Sequence, residues 1–210
     1  MVDEKRSILT DSYARFKAFH ELMSKKVREI LLVSSPYDAF IMEEDGSLAS
    51  RIINEYSGLN LSQPPRVTRT SSAYDALALL ARTRYDMVIT TPHLDEMDAF
   101  SLGMKAKKIN PTLPVILLAQ NIRGIYPPPG DKMRKGIDKV FVWSGNSDLL
   151  LALVKNAEDA LNVDRDTQRA SVRVLILVED SPVYYSSFLP VIYREIVQQT
   201  QAVLKVGLNE

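Results

Sequence analysis

The sequence predicts an α/β protein: a parallel sheet with helices on both faces. Two observations carry this. Short, continuous apolar runs recur along the chain: Ile30-Leu31-Leu32-Val33, Met87-Val88-Ile89, Val115-Ile116-Leu117-Leu118, Val140-Phe141-Val142 and Val174-Leu175-Ile176-Leu177-Val178. Runs that are apolar throughout, rather than alternating, suit strands covered on both sides. Between them lie segments of helical period, and strand–helix alternation of this kind builds right-handed βαβ units.

Each element has its own signature. Leu9, Tyr13, Phe16, His20, Met23 and Val27 recur at steps of three and four, which predicts an amphipathic helix from Ser7 to Lys26. The first strand follows at Ile30. Glu43-Glu44-Asp45-Gly46-Ser47 breaks the next segment, with Asp45 or Ser47 capping a helix from Leu48 to Tyr56. Arg66-Val67-Thr68-Arg69-Thr70 is a weaker strand signal. Tyr74, Leu77, Leu80 and Ala81 form one helical stripe; Leu149, Leu150, Leu153, Val154, Ala157 and Leu161 form another. Pro127-Pro128-Pro129 fixes an extended loop, because proline lacks the N–H and restricts its predecessor. Residues 162–171 are polar and charged and read as a linker. After them the pattern restarts, with a strand from Val172 to Val178, a helix from Val183 to Gln198 and a strand from Ala202 to Val206.

Composition narrows the function. The chain has 210 residues, 46% hydrophobic and 25% charged, with 26 basic residues against 26 acidic ones. Such a balance gives no bulk electrostatic case for nucleic acid or an anionic membrane. No apolar run approaches the roughly 20 residues that span a bilayer, and the charged N-terminus is unlike a secretory signal. A cytoplasmic location is the expectation. The absence of cysteine excludes disulfides and thiol catalysis.

Three stretches carry a family resemblance. REILLVSSP, YDMVITTPHLDEMDAF and LPVILLAQ resemble the first, third and fourth strands of response-regulator receiver domains. Met97-Asp98-Ala99-Phe100 stands where that family has Met-Asp-Gly-Phe. The resemblance spans residues 27–161 and implies a doubly wound five-stranded parallel sheet in the order 2-1-3-4-5. VRVLILVEDSPVYYSSFLPVI resembles a receiver start again, so residues 172–210 are expected to open a second receiver. REILLVSSPYDAFIMEEDGSLASRIINEY also resembles the front end of bacterial proteins in which receiver-like domains precede a phosphoenolpyruvate synthase or pyruvate phosphate dikinase-like region.

The resemblance also identifies a degenerate site. The family's phosphoryl transfer needs an acidic pair that holds magnesium, an aspartate nucleophile, a hydroxyl and a lysine. Here the acidic pair falls at Ser34 and Ser35, the nucleophile at Thr91, the hydroxyl at Ala119 and the lysine at Trp143. A threonine hydroxyl offers no anionic lone pair, and two serines carry no charge. No phosphorylation of the usual kind is therefore expected, and no cofactor. Trp143 is expected to fill the space that lysine and magnesium would occupy. Glu179 and Asp180 retain an acidic pair in the second unit, so magnesium is expected only at a complete second receiver.

The expected role is a non-enzymatic regulatory module. It would bind other signalling proteins or downstream domains of the same polypeptide, with a homodimer through Val174–Val178 as a further expectation. The rival readings are a small enzyme or phosphotransfer domain using His20, His93 or Asp95, and a dimerisation unit built on the N-terminal helix. His20 sits in a His-Glu pair that loosely resembles a histidine-kinase phosphoacceptor helix, yet it lies on the apolar stripe. His93 follows Thr91 in a turn, and Asp95 sits where acids favour a helix start.

Overall fold

The computed structural model describes residues 22–42, 47–59, 61, 63–121, 136–170 and 172–207. They fall into two compact units, Val27–Lys155 with Glu179–Glu210, and Met1–Lys26 with Asn156–Val178.

The larger unit holds five parallel strands: β1 (Glu29–Val33), β2 (Arg66–Thr70), β3 (Met87–Thr90), β4 (Val115–Ala119) and β5 (Lys139–Val142). Their order is β2-β1-β3-β4-β5, the doubly wound arrangement that the sequence resemblance implies. The register pairs Ile30 with Val67 on one side and Met87 on the other. The three central strands are buried almost throughout, whereas the edge strand β2 has only exposed and partly buried positions. That difference explains why β2 gave the weakest sequence signal.

Helices α1 (Pro36–Met42), α2 (Leu48–Gly58), α3 (Ala73–Arg82) and α4 (Ala99–Ile109) connect the strands. Ser47, Ser72 and Asp98 cap α2, α3 and α4, each side chain accepting a backbone N–H three residues on. One core layer joins α3 and α4 to the sheet, with Ala73, Ala76, Leu80, Phe100, Leu102 and Ala106 over Leu31, Val33, Val88, Val115 and Leu117. The expected α3 stripe holds at Leu77 and Leu80 but not at Tyr74 and Ala81, which are exposed. Tyr74 is 58% exposed and lies under the Lys105 ammonium, while Ala73 and Ala76 are buried.

The C-terminal readings are corrected. α5 runs from Asp148 to Ala170, through the residues read as a linker. Their polarity has a structural use in the smaller unit. The buried Asn162 amide donates to the Lys25 and Glu158 carbonyls, both at 2.8 Å, and accepts from Lys25 N–H at 3.0 Å. Asp166 accepts from Met23 N–H at 2.9 Å. Residues 22–26 are therefore turn and extended chain rather than the end of the predicted helix, and Met23 has φ 51°. The rest of that helix, with His20, lies outside the described residues, as do Glu43–Gly46 and the triple proline.

The strand expected at Val172–Val178 does not form; those residues pair with no strand of the described sheet. Val174, Leu175, Ile176 and Val178 are 52–89% exposed. The strand expected at Ala202–Val206 is helical, because α6 runs unbroken from Pro182 to Gly207. No glycine interrupts that stretch before Gly207, so the helix propagates where a turn was expected. In the larger unit α6 covers β5. It buries Tyr185, Leu189 and Tyr193, sets Tyr185 5.5 Å from Phe141 ring to ring, and lets Ser186 Oγ accept the Val142 N–H at 2.8 Å.

Among the described residues, no helix is long and apolar enough to cross a membrane.

Candidate functional site

The ends of the strands carry the candidate site. In a doubly wound sheet the carboxyl ends of the strands at the switch of strand order form the natural crevice, here between β1 and β3. Three of the expected site residues continue the ladder past their strands. Ser34 N–H donates to the Thr70 carbonyl at 3.1 Å, Thr91 N–H to the Val33 carbonyl at 3.0 Å, and Trp143 N–H to the Ala119 carbonyl at 2.7 Å. Parallel pairing thus fixes each of them to its neighbour's strand end.

Their side chains serve packing. Ser34, Thr91, Ala119 and Trp143 are all buried. Thr91 is 1% exposed, and its hydroxyl has no hydrogen-bond partner among the described residues. Trp143 is 7% exposed, with the Arg51 guanidinium 5.6 Å from its ring centroid. Arg51 also donates to the Gly145 carbonyl at 3.4 Å, so α2 spans the end of β5. Gly145 adopts φ 86°, a left-handed conformation that suits glycine.

A cavity of about 590 Å³ opens beside these residues. Of the five expected positions only Ser35 and Ala119 line it among the described residues. Asp38, His93, Asp95, Gln120 and Asn121 add polar groups to its lining. Asp38 is buried in the first turn of α1. Its N–H donates to Ser35 Oγ at 3.1 Å, and the Ser35 hydroxyl returns a bond to Asp38 Oδ2 at 3.1 Å, a reciprocal cap. Gln120 Nε2, just past β4, reaches Asp38 Oδ1 at 3.3 Å. His93 and Asp95, which also line it, are exposed.

Asp38 and Gln120 were not singled out from the sequence. The Ser35-Pro36-Tyr37-Asp38 spacing is a capping signal that points to Asp38, whereas nothing local marks Gln120.

Asp98 caps α4 rather than facing the cavity. Partial burial would raise its pKa, but the hydroxyl and N–H of Ser101 hold it below its ordinary value. Glu96 is also held low, by the Ser72 hydroxyl and the Ala73 N–H. Across the unit, burial pushes Glu55 up, against a bond from Ser147 Oγ at 2.7 Å; Asp148 reinforces the rise, and Arg194, which binds both carboxylates, opposes it.

Glu179 and Asp180 line a second cavity of about 420 Å³, with Asp138, Lys139 and Tyr185. Glu179 accepts the Ser181 N–H at 2.8 Å at the approach to α6. Asp138 is held by Lys107 at 2.6 Å and by the Val115 N–H at 2.7 Å. Among the described residues, no group of three or more His, Asp or Glu could hold a metal ion.

No protein-family model and no curated protein matches the chain. The solved structures it resembles are receiver domains. One belongs to a sensor histidine kinase from Pseudomonas aeruginosa, with 18% identity, covering 63% of this chain and 98% of that one at a TM-score of 0.46. Another belongs to an HD domain-containing protein from Pseudomonas fluorescens, with 25% identity, 68% and 94% coverage and a TM-score of 0.48. A third is a response regulator receiver domain protein from Methanospirillum hungatei, with 17% identity, 64% and 96% coverage and a TM-score of 0.49.

Proposed function

We propose that this chain is a receiver-like module of two-component signal transduction that carries no phosphoryl group and acts by binding a protein partner. The observation that carries the reading is Thr91. At the end of β3, where acyl phosphate chemistry needs a carboxylate, stands a hydroxyl that is 1% exposed. A neutral, buried hydroxyl neither binds magnesium nor reaches a phospho-donor. The neighbouring positions point the same way. Ser34 is buried in the ladder, Ala119 has no hydroxyl, and Trp143 puts a buried indole where the family has a cation. His93 and Asp95, the residues of the enzymatic alternative, are exposed on the rim and have no bond to each other among the described residues.

The test is incubation with magnesium and acetyl phosphate or beryllofluoride, read by intact mass and amide spectra. The expected result is no stoichiometric mass gain and no saturable shift around Thr91. Either change would overturn the reading.

We also propose self-association through the exposed apolar residues Val174, Leu175, Ile176 and Val178. A run of this kind left in water favours pairing with another chain.

A further inference from the structure

We propose that the cavity at the ends of β1, β3 and β4 binds a guanidinium group. This rests on the reading above that no phosphoryl group is carried beside it. The cavity, about 590 Å³, has room for an arginine-sized side chain. At its wall Asp38 is only 7% exposed. Its two oxygens are oriented by neutral donors alone, the Ser35 hydroxyl and the Gln120 amide. No described cation lies within salt-bridge distance of Asp38 or of Asp95, which also lines the cavity. A buried carboxylate is costly unless a positive partner compensates it. The two carboxylates also exclude an anionic ligand.

The kind of cation follows from the remaining wall. Magnesium and calcium need several hard oxygen ligands, and among the described residues no cluster could hold a metal. A guanidinium needs one well-oriented carboxylate, which it meets with two parallel N–H bonds. Among the described residues each Asp38 oxygen accepts a single hydrogen bond, so each keeps a lone pair for such a donor. Tyr37, 68% exposed at the rim, offers an aromatic face on which a planar cation stacks. Pro92 and Leu94 provide apolar wall for a methylene stem. A compact ammonium uses neither the fork geometry nor the stacking surface as well. The group can come from a small free guanidine or from an arginine of a partner protein.

The experiment is an amide-resolved titration of the full chain with agmatine and, separately, with the capped peptide Gly-Arg-Gly. Butylamine and magnesium chloride serve as comparators. Saturable shifts at residues 35–38, 93–95 and 120–121 are expected with a guanidinium ligand. Butylamine should bind at least tenfold more weakly. Asp38→Asn, nearly isosteric, should weaken binding at least tenfold. Asp95→Asn, on the exposed rim, should weaken it severalfold with the amide spectrum otherwise unchanged. Binding of agmatine assigns the site to small guanidines; binding of the peptide alone assigns it to a protein arginine. No saturable shift with either ligand overturns the proposal. So does affinity unchanged in both variants, or an equal response to butylamine or magnesium. Phosphoryl uptake is read separately by mass, so a failure of either reading leaves the other standing.

Discussion

Replacing Trp143 with alanine tests whether the end of β5 is packing or an open site. The indole is 7% exposed. An aromatic of this size buries about 150–250 Å², which at about 25 cal/mol per Å² corresponds to about 4–6 kcal/mol. The surroundings relax only in part, and core aromatic-to-alanine changes cost about 3–5 kcal/mol. The Arg51 guanidinium over the ring contributes a little more, about 0.5–1 kcal/mol at a partly exposed site. Trp143→Ala should therefore lose about 3–5 kcal/mol. Urea unfolding followed by far-ultraviolet circular dichroism measures it, because the substitution removes the only tryptophan. In the unsubstituted chain, Trp143 emission should be shifted to the blue of free indole. Trp143→Lys should also lose stability and gain no phosphoryl uptake, since no acidic cluster at Ser34 and Ser35 meets the ammonium. A loss below about 0.5 kcal/mol, as for a surface change, would refute the plug, and so would the emission of a fully solvated indole.

Further outcomes test other parts of the fold. Gly103→Ala would place its Cβ 2.3 Å from the Gly136 carbonyl oxygen, a backbone atom that cannot rotate away. The helix-propensity gain of about 1 kcal/mol is outweighed by overpacking of up to about 3 kcal/mol or more, so thermal unfolding should shift down. Asp98→Ala should cost about 1 kcal/mol at neutral pH through the lost α4 cap. Because the folded pKa of Asp98 lies below its ordinary 3.8, that stability is present above 3.8 and is lost as pH falls through the folded value; a deficit that persists unchanged at pH 2 would contradict the assignment. Light scattering should show self-association of the full chain at micromolar concentration, reduced by Ile176→Lys; a monomer in both cases would remove the 174–178 contact.

Much of the fold was legible because burial on both faces writes itself as continuous apolar runs. Val33, Ile89 and Leu117 each sit in such a run and each lies in a central strand. The helical caps were legible where a side chain bonds a backbone three residues away, as Ser47 does. The C-terminal part was not, for two physical reasons. Val174-Leu175-Ile176-Leu177-Val178 has strand propensity, but a strand exists only when a neighbour accepts its hydrogen bonds. Residues 162–170 are polar because Asn162 and Asp166 bind backbone groups far away in sequence, and a local reading takes that polarity for a linker.

The candidate site divides along the same line. Ser34, Ser35, Thr91, Ala119 and Trp143 were placed by the receiver resemblance, which sets its site positions at the ends of the apolar runs. Asp38 and Gln120 meet across 82 residues, a contact that no periodicity records. Their meeting changes what the strand ends can do. On the proposed reading, the positions that would handle a phosphoryl group carry hydroxyls, a methyl and an indole, and four of those five positions are buried. A buried carboxylate, Asp38, lies in the first turn of α1, where neutral donors hold it beside a cavity. A carboxylate held there without a described cation favours a ligand that arrives from outside carrying one. On the two proposals together, a crevice with no nucleophilic carboxylate at Thr91 carries no phosphoryl group, and Asp38 beside it then calls for a cation from a ligand.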